Sequence, residues 1–361
     1  MPVSLTYSLA DQSFERTKSL GILGLSVKLA ESLAASEKVG PITLFSNSSL
    51  SAQLKLPPRV ERIDFDRAAS GRVGRLLWDQ TGCYAAAERA GREWLFLPKG
   101  FASFLRKPPG KLAAYVHDVM HDYYRTRFPN GFSRFESWYF DRALAATLRD
   151  ASVIFTNTAF TRSEVLRVAG ERGITPPRVL VAGIGFREEV VARSAKEERI
   201  VVLAGPLPHK RSDLAVEWVD RWQKEEGYPG EIHVIGGLPQ GMAAPGAWRQ
   251  HRRLGGWEFA ALLSSARGLV YFSEYEGFGM PPVEAVLAGT CPVFSDLPAT
   301  REVMGECGCP FRNDDFGSFR EAMRTALAAE EEVIRGWSVK LRALHAWSQV
   351  AERVISGLEH G

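Results

Sequence analysis

Only four of the 361 residues are cysteine (Cys83, Cys291, Cys307 and Cys309). That is too few for a disulfide framework, and the closest pair is C-x-C, not the C-x-x-C of a redox or zinc site. All four are expected to be reduced, buried thiols. Long apolar runs are missing as well. No stretch approaches the roughly 18 uninterrupted apolar residues of a membrane span, and the opening MPVSLTYSLADQ has no basic segment followed by an apolar core. A cytoplasmic protein is expected. Nor is there an excess of one charge: Lys and Arg number 45 against 42 Asp and Glu, a net +3, which excludes the strongly basic balance of a dedicated nucleic-acid binder. With 45% hydrophobic residues the chain has material for sizeable cores, so disorder is excluded.

The near-neutral total hides an asymmetry. Residues 1–185 hold 25 Lys and Arg against 17 Asp and Glu, a net +8, and the remainder carries −5. The halves therefore present different faces to charged partners. Short aliphatic runs recur at 2–9, 41–46, 93–97, 112–116, 152–156 and 178–182, then at 200–204, 231–236, 268–273 and 291–295. They are apolar nearly throughout, as in parallel strands covered on both faces. Between them lie amphipathic helices, with Leu25, Leu29 and Leu33, and later Leu214, Trp218 and Trp222, at i, i+4, i+8. A charged stretch at 183–199 separates the two series. This pattern predicts two doubly wound α/β domains, with any ligand at the carboxyl ends of the strands.

The segment S-E-Y-E-G-F-G-M-P-P-V-E-A-V-L-A-G at 273–289 directly follows the apolar run GLVYF. Gly277 and Gly279 allow a tight turn, Pro281 and Pro282 suit a first helical turn, and Gly289 ends the helix. Strand, glycine turn and helix start together favour anion binding. Glu276 and Glu284 flank the turn, and a carboxylate suits a vicinal diol. Upstream, G-P-L-P-H-K-R-S-D at 205–213 places Lys210 and Arg211 after another strand. Adjacent cations there are suited to neutralising the charge on a departing diphosphate.

Residues 273–289, with S-D-L-P-A-T-R-E-V-M-G at 295–305, resemble the donor-site signature of retaining glycosyltransferase family 4, and 205–213 resembles that family's second, cationic segment. The resemblance implies a GT-B fold, α/β, with two Rossmann-like doubly wound domains facing each other across a cleft: 1–185 binding the acceptor, 186–340 binding the nucleotide sugar, and a C-terminal helix at 341–361 crossing back to the first. Carried over position by position, Glu284 resembles the ribose-binding acid and Glu276 the acid on the transferred sugar's hydroxyls. Gly277 and the backbone of Phe278, Gly279 and Met280, with Gly205, are implied to meet the diphosphate or sugar, and Lys210 and Arg211 to hold the leaving group. This chain departs from relatives that carry Arg directly after the first glycine, having Pro206. G-G-W-E-F-A-A-L-L at 255–263 and H-A-W-S-Q-V-A-E at 345–352 also match, with Trp257 and Trp347 expected as core anchors.

The first half resembles the family in patches. K-S-L-G-I-L-G-L-S-V-K-L at 18–29 is similar to the glycine loop and first helix over the donor phosphates, making Gly21 and Gly24 candidates for backbone contact. A-Y-V-H-D-V-M-H-D-Y at 114–123 resembles V-H-D, with His117 near the reacting sugar and Asp118 beside it in the donor site. His121-Asp122 is only a minor metal candidate. T-N-T-A-F-T-R-S-E at 156–164 predicts a capping box from Thr161 to Glu164. Cations and aromatics interleave at 101–111 and 125–140, which suggests an anionic membrane surface or a lipid-diphosphate acceptor as partner.

The resemblance implies a retaining hexosyltransferase without metal or other cofactor. Its donor would be GDP-mannose ahead of a UDP-hexose, and its acceptor a glycan or lipid-linked sugar of cell-surface polysaccharide or glycolipid synthesis, with no nucleic-acid partner. It would be cytoplasmic and peripheral on the inner face of the membrane. The alternative is a catalytically silent GT-B protein that binds a nucleotide sugar or glycan.

Overall fold

A computed structural model of the chain describes residues 2–15, 20–51, 53–129, 131–186, 194–252 and 254–361. The chain divides into two compact units, one of Met1–Thr126, Phe132–Gly185 and His345–Gly361, the other of Arg127–Gly131 and Phe186–Leu344.

The first unit holds seven strands: β1 (Val3–Ser8), β2 (Val39–Ser46), β3 (Val60–Asp64), β4 (Trp94–Leu97), β5 (Lys111–Val116), β6 (Val153–Thr156) and β7 (Arg178–Val181). They lie in the order β3-β2-β1-β4-β5-β6-β7, and every neighbouring pair is parallel. Helix Leu20–Ala35 buries Leu25, Leu29 and Leu33, the last two in the core against this sheet, so the i, i+4, i+8 spacing marks a buried face. The last helix, Trp347–Glu359, belongs to the same unit. Its Val350, Ala351, Val354, Ile355 and Leu358 join that core beside helix Leu20–Ala35.

The second unit holds β8 (Arg199–Leu203), β9 (Glu231–Ile235), β10 (Arg249–His251), β11 (Gly268–Tyr271), β12 (Cys291–Ser295) and β13 (Cys309–Phe311), in the order β10-β9-β8-β11-β12-β13 and again all parallel. Trp218 and Trp222 of helix Ser212–Glu225 pack into its core with Phe272, Phe311 and Phe319. The four cysteines are free and buried, as expected.

Three strands escape the sequence pattern. β3 is almost wholly exposed (VERID), β10 reads RQH, and β13 has three residues. Each lies at the edge of its sheet or is too short to show a period.

In both sheets the order reverses at a point where consecutive crossovers leave in opposite directions: between β1 and β4, and between β8 and β11. Loops diverge there and open a crevice at the carboxyl ends of the strands. The segments after β8 and β11 are 204–211 and 272–279, those singled out for chemistry.

Candidate active site

After β8 the chain makes a turn held by Ser212, whose Oγ accepts from Gly205 N at 2.9 Å and donates to Gly205 O at 2.8 Å. A Cβ at Gly205 would stand 3.0 Å from Lys210 Cγ, so the absent side chain is what lets the lysine stem lie across the turn. A single 3-10 turn, Pro208–Lys210, leads to Arg211, which sits at φ +43° and starts helix Ser212–Glu225. A non-glycine residue in the left-handed region is strained and persists only where its surroundings hold it.

Here the holding groups are carboxylates. Arg211 donates to Glu274 Oε1 at 2.6 Å and to Asp213 Oδ2 at 2.9 Å. Its neighbour faces a different set: Lys210 Nζ lies 2.7 Å from Glu276 Oε1 and 3.1 Å from Tyr271 Oη, and Tyr271 donates to the same Glu276 oxygen at 2.5 Å. The two segments are also laced through the backbone, His209 O accepting from Glu274 N at 2.7 Å and from Ser273 Oγ at 3.2 Å. Ser295 and Asn313 anchor Ser273 from below.

Burial alone would push the Glu276 carboxyl up. The Lys210 charge and hydrogen bonds from Lys210, Tyr271 and Ser273 outweigh this and hold it below the usual carboxylate range. Tyr271 is buried and raised well above its ordinary value, first by burial and then by Glu276 and Glu284. It is therefore a neutral donor, and both acids of the E-x7-E pair converge electrostatically on it. Tyr271 and Glu274 were not singled out in the sequence. Only the position of Tyr271 at the last residue of an apolar strand could have signalled it.

Helix Met280–Leu287 starts at Gly279, φ +83°, where a Cβ would stand 2.7 Å from the Thr300 methyl. No other residue fits that turn without displacing helix Pro298–Met304. Pro281 and Pro282 lie in the first helical turn, and Gly289, φ +83°, follows its end. Phe278 is buried with its ring 6.0 Å from Phe186, so only its backbone is left for a ligand. Gly277 is buried, and Met280 and Glu284 are half-buried at the helix start. This positive helix end, Lys210 and the acids beside them supply donors and acceptors suited to a phosphate attached to a polyol.

The first-unit candidates occupy their own places. Gly21 and Gly24 lie inside helix Leu20–Ala35, not in a loop before it, because the 3.6-residue apolar period already includes them. Lys18 and Ser19, the first two residues of that segment, lie outside the described residues. Asp118 accepts from Met120 N at 2.9 Å, at the start of helix Met120–Arg127.

His117 follows β5 and stacks on Tyr115, ring centroids 4.6 Å apart. Its Nε2 lies 2.8 Å from Pro98 O; a carbonyl only accepts, so Nε2 carries the hydrogen and Nδ1 keeps its lone pair. Nδ1 is buried without a partner among the described residues. Burial lowers the His117 pKa to about 4 against a smaller opposing effect of Pro98 O. At neutral pH Nδ1 can accept a hydrogen bond or a proton, while Nε2 spends its hydrogen on Pro98 O.

Because the folded pKa lies below that of the unfolded chain, His117 takes up a proton on unfolding, and stability falls as pH drops from about 6.5 toward about 4. His117→Gln should flatten this dependence by roughly 1.4 kcal/mol per pH unit, read from denaturant melts across that window.

Further expectations are corrected. Thr158, not Thr161, caps helix Ala159–Glu171, its side chain accepting from Thr161 N, since the helix starts three residues earlier than the Thr-x-x-Glu pattern suggests. Trp257 is 75% exposed in the first turn of helix Gly256–Ser265 and is no core anchor, whereas Trp347 packs against the first core. Asp122 is occupied by Arg125 and Arg167, and His121 faces Phe101 and Phe140. Among the described residues no group of three or more His, Cys, Asp or Glu is placed to hold a metal ion.

Comparison with known proteins bears on the same segments. The family model for glycosyl transferases group 1 matches residues 198–329, which include both loops of the pocket. The O-antigen chain mannosyltransferase RfbU of Salmonella typhimurium is 39% identical over 67 residues, 19% of each chain. The O-antigen chain mannosyltransferase B of Escherichia coli is 22% identical over 322 residues, covering 80% of this chain and 82% of that one. The chain spans about a fifth or less of the length of the first curated relatives it matches. Among solved structures, sucrose-phosphate synthase from Thermosynechococcus elongatus superposes with a TM-score of 0.72 at 13% identity, over 99% of this chain and 98% of that one. Two parallel Rossmann-like sheets of this kind are the fold of the GT-B glycosyltransferases.

Proposed function

We propose that this chain, a GT-B fold whose second unit carries the group 1 glycosyltransferase match, is a retaining glycosyltransferase. In this reading it moves mannose from GDP-mannose, ahead of glucose-type UDP donors, to a glycan or lipid-linked acceptor of cell-surface polysaccharide synthesis. The observation that carries the reading is the Lys210–Tyr271–Glu276 cluster beside the start of helix Met280–Leu287, at the carboxyl-end switch point of the second sheet. The similarity to O-antigen chain mannosyltransferases supports mannose and the polysaccharide setting.

The residues divide the work by chemistry. Lys210 and the helix start meet the diphosphate, whose charge grows as the glycosidic bond to it breaks. Glu284, half-buried on the helix, accepts from the ribose diol, and Glu276 accepts from hydroxyls of the transferred sugar. Arg211, clamped by Glu274 and Asp213, positions Lys210 by fixing the turn from which it rises. The departing phosphate takes the acceptor's proton on the face where the new bond forms.

The test is a panel of nucleotide sugars with release of nucleoside diphosphate as readout. GDP-mannose should turn over fastest, and nuclear magnetic resonance of the product should show the donor's anomeric configuration. Binding of nucleotide sugars without release under any acceptor would favour the silent binding protein instead.

A further inference from the structure

In the free protein Lys210 is already engaged. Its Nζ lies 2.7 Å from Glu276 Oε1 and 3.1 Å from Tyr271 Oη, and 5.3 Å from the centre of the Tyr271 ring. A diphosphate can draw the ammonium only by taking it from Glu276. That carboxylate has little water around it, its side chain being 12% exposed. Stripped of its counter-charge, a buried carboxylate either takes up a proton or holds the cation back. A donor other than Lys210 is needed to steady Glu276 while the lysine turns to the phosphate.

Tyr271 has the geometry of that donor. It is the last residue of β11, 3% exposed, and its backbone is flanked on both sides, by Leu203 of β8 and Phe294 of β12. The ring therefore rises from a central strand, which fixes a side chain more precisely than a loop does. Its hydroxyl donates to Glu276 Oε1 at 2.5 Å, and among the described residues that hydrogen has no other acceptor. Burial, with Glu276 and Glu284 nearby, keeps the phenol protonated.

Ser273 also reaches Glu276, but its loyalty is divided. A serine hydroxyl carries one hydrogen, and this one has His209 O at 3.2 Å and Tyr275 O at 3.1 Å within reach. Tyr271 is thus the donor committed to Glu276 alone.

We infer that Tyr271 is a positioning residue that frees Lys210 for the diphosphate: as the ammonium leaves, the phenol keeps Glu276 ionised and its Oε1 in place. The inference rests on the reading of this pocket as a nucleotide-sugar site and adds to it a residue outside both loops. Tyr271 acts through Glu276 and Lys210, and a hydrogen bond to a charged group is about twice as strong as one between neutral groups.

The test is calorimetric titration of the full chain with whichever of GDP and UDP the wild type binds more tightly, and with the matching nucleoside. Tyr271→Phe removes one oxygen and keeps the ring. It should weaken diphosphate binding about tenfold, since Glu276 then has one donor fewer whenever Lys210 departs, and leave nucleoside binding within about twofold. Adding Glu276→Gln should undo the loss, because a neutral amide does not hold the ammonium. The double variant should bind the diphosphate within about threefold of Glu276→Gln alone, whereas a phenol that only fills space would give two losses that add. Circular dichroism and thermal melts establish that each variant is folded. Diphosphate binding by Tyr271→Phe as tight as that of the wild type overturns the inference and leaves the nucleotide site standing. So does a double variant weaker than Glu276→Gln by the full tenfold. A wild type that binds neither GDP nor UDP overturns the reading of the pocket, and the inference with it.

Discussion

Replacing Glu276 by glutamine is expected to lower turnover about 10²–10³-fold while nucleoside-diphosphate affinity stays within about tenfold. Glutamine keeps the shape and still accepts from Tyr271, so the change isolates the charge. In the free protein that charge is shared: one Glu276 oxygen takes both Lys210 and Tyr271. Removing it leaves Lys210 more available to a phosphate, which is why diphosphate binding should not suffer. A carboxylate that orients sugar hydroxyls contributes most where positive charge develops on the sugar ring, so its removal falls on kcat. The check is steady-state kinetics beside calorimetric titration of the same variant. Equal losses in turnover and diphosphate binding would make Glu276 a scaffold for the loop.

The second large effect belongs to Lys210. Lys210→Ala should lower kcat/KM about 10²-fold, the scale for removing one preorganised charge from a developing anion. It should also alter the pH profile. Lys210 is the main opponent of the burial that pushes the Glu276 carboxyl up, so without it that carboxyl titrates at higher pH. The acid limb of the rate profile should therefore move toward neutrality. Arg211→Ala should have a smaller effect, because Arg211 is engaged by Glu274 and Asp213 and acts through the turn it stabilises.

Much of this site was legible in the sequence because its segments are local. The strand, glycine turn and helix at 268–289 obey spacing rules that a single stretch can express, and the apolar runs mark buried parallel strands by composition alone. What escaped depends on contacts across the sheet. That Lys210 faces Glu276 while Arg211 turns away follows from φ +43° at Arg211, and a Lys-Arg dipeptide carries no sign of it. Tyr271 reads as an apolar strand residue until the neighbouring loop is placed beside it. Trp257 illustrates the opposite error: its chemistry favours a core, but the first turn of its helix faces solvent. Gly21 and Gly24 were singled out by the resemblance of 18–29 to a glycine loop and first helix, and the leucines around them place both inside the helix by burying one helical face.

The most direct measurement is calorimetric titration of the wild type and of Lys210→Ala with a nucleoside diphosphate and with the matching nucleoside. If the turn after β8 and the helix start after β11 grip a diphosphate, the variant should lose about two orders of magnitude in affinity for the diphosphate and little for the nucleoside. Equal affinities of the two proteins for the diphosphate would contradict it.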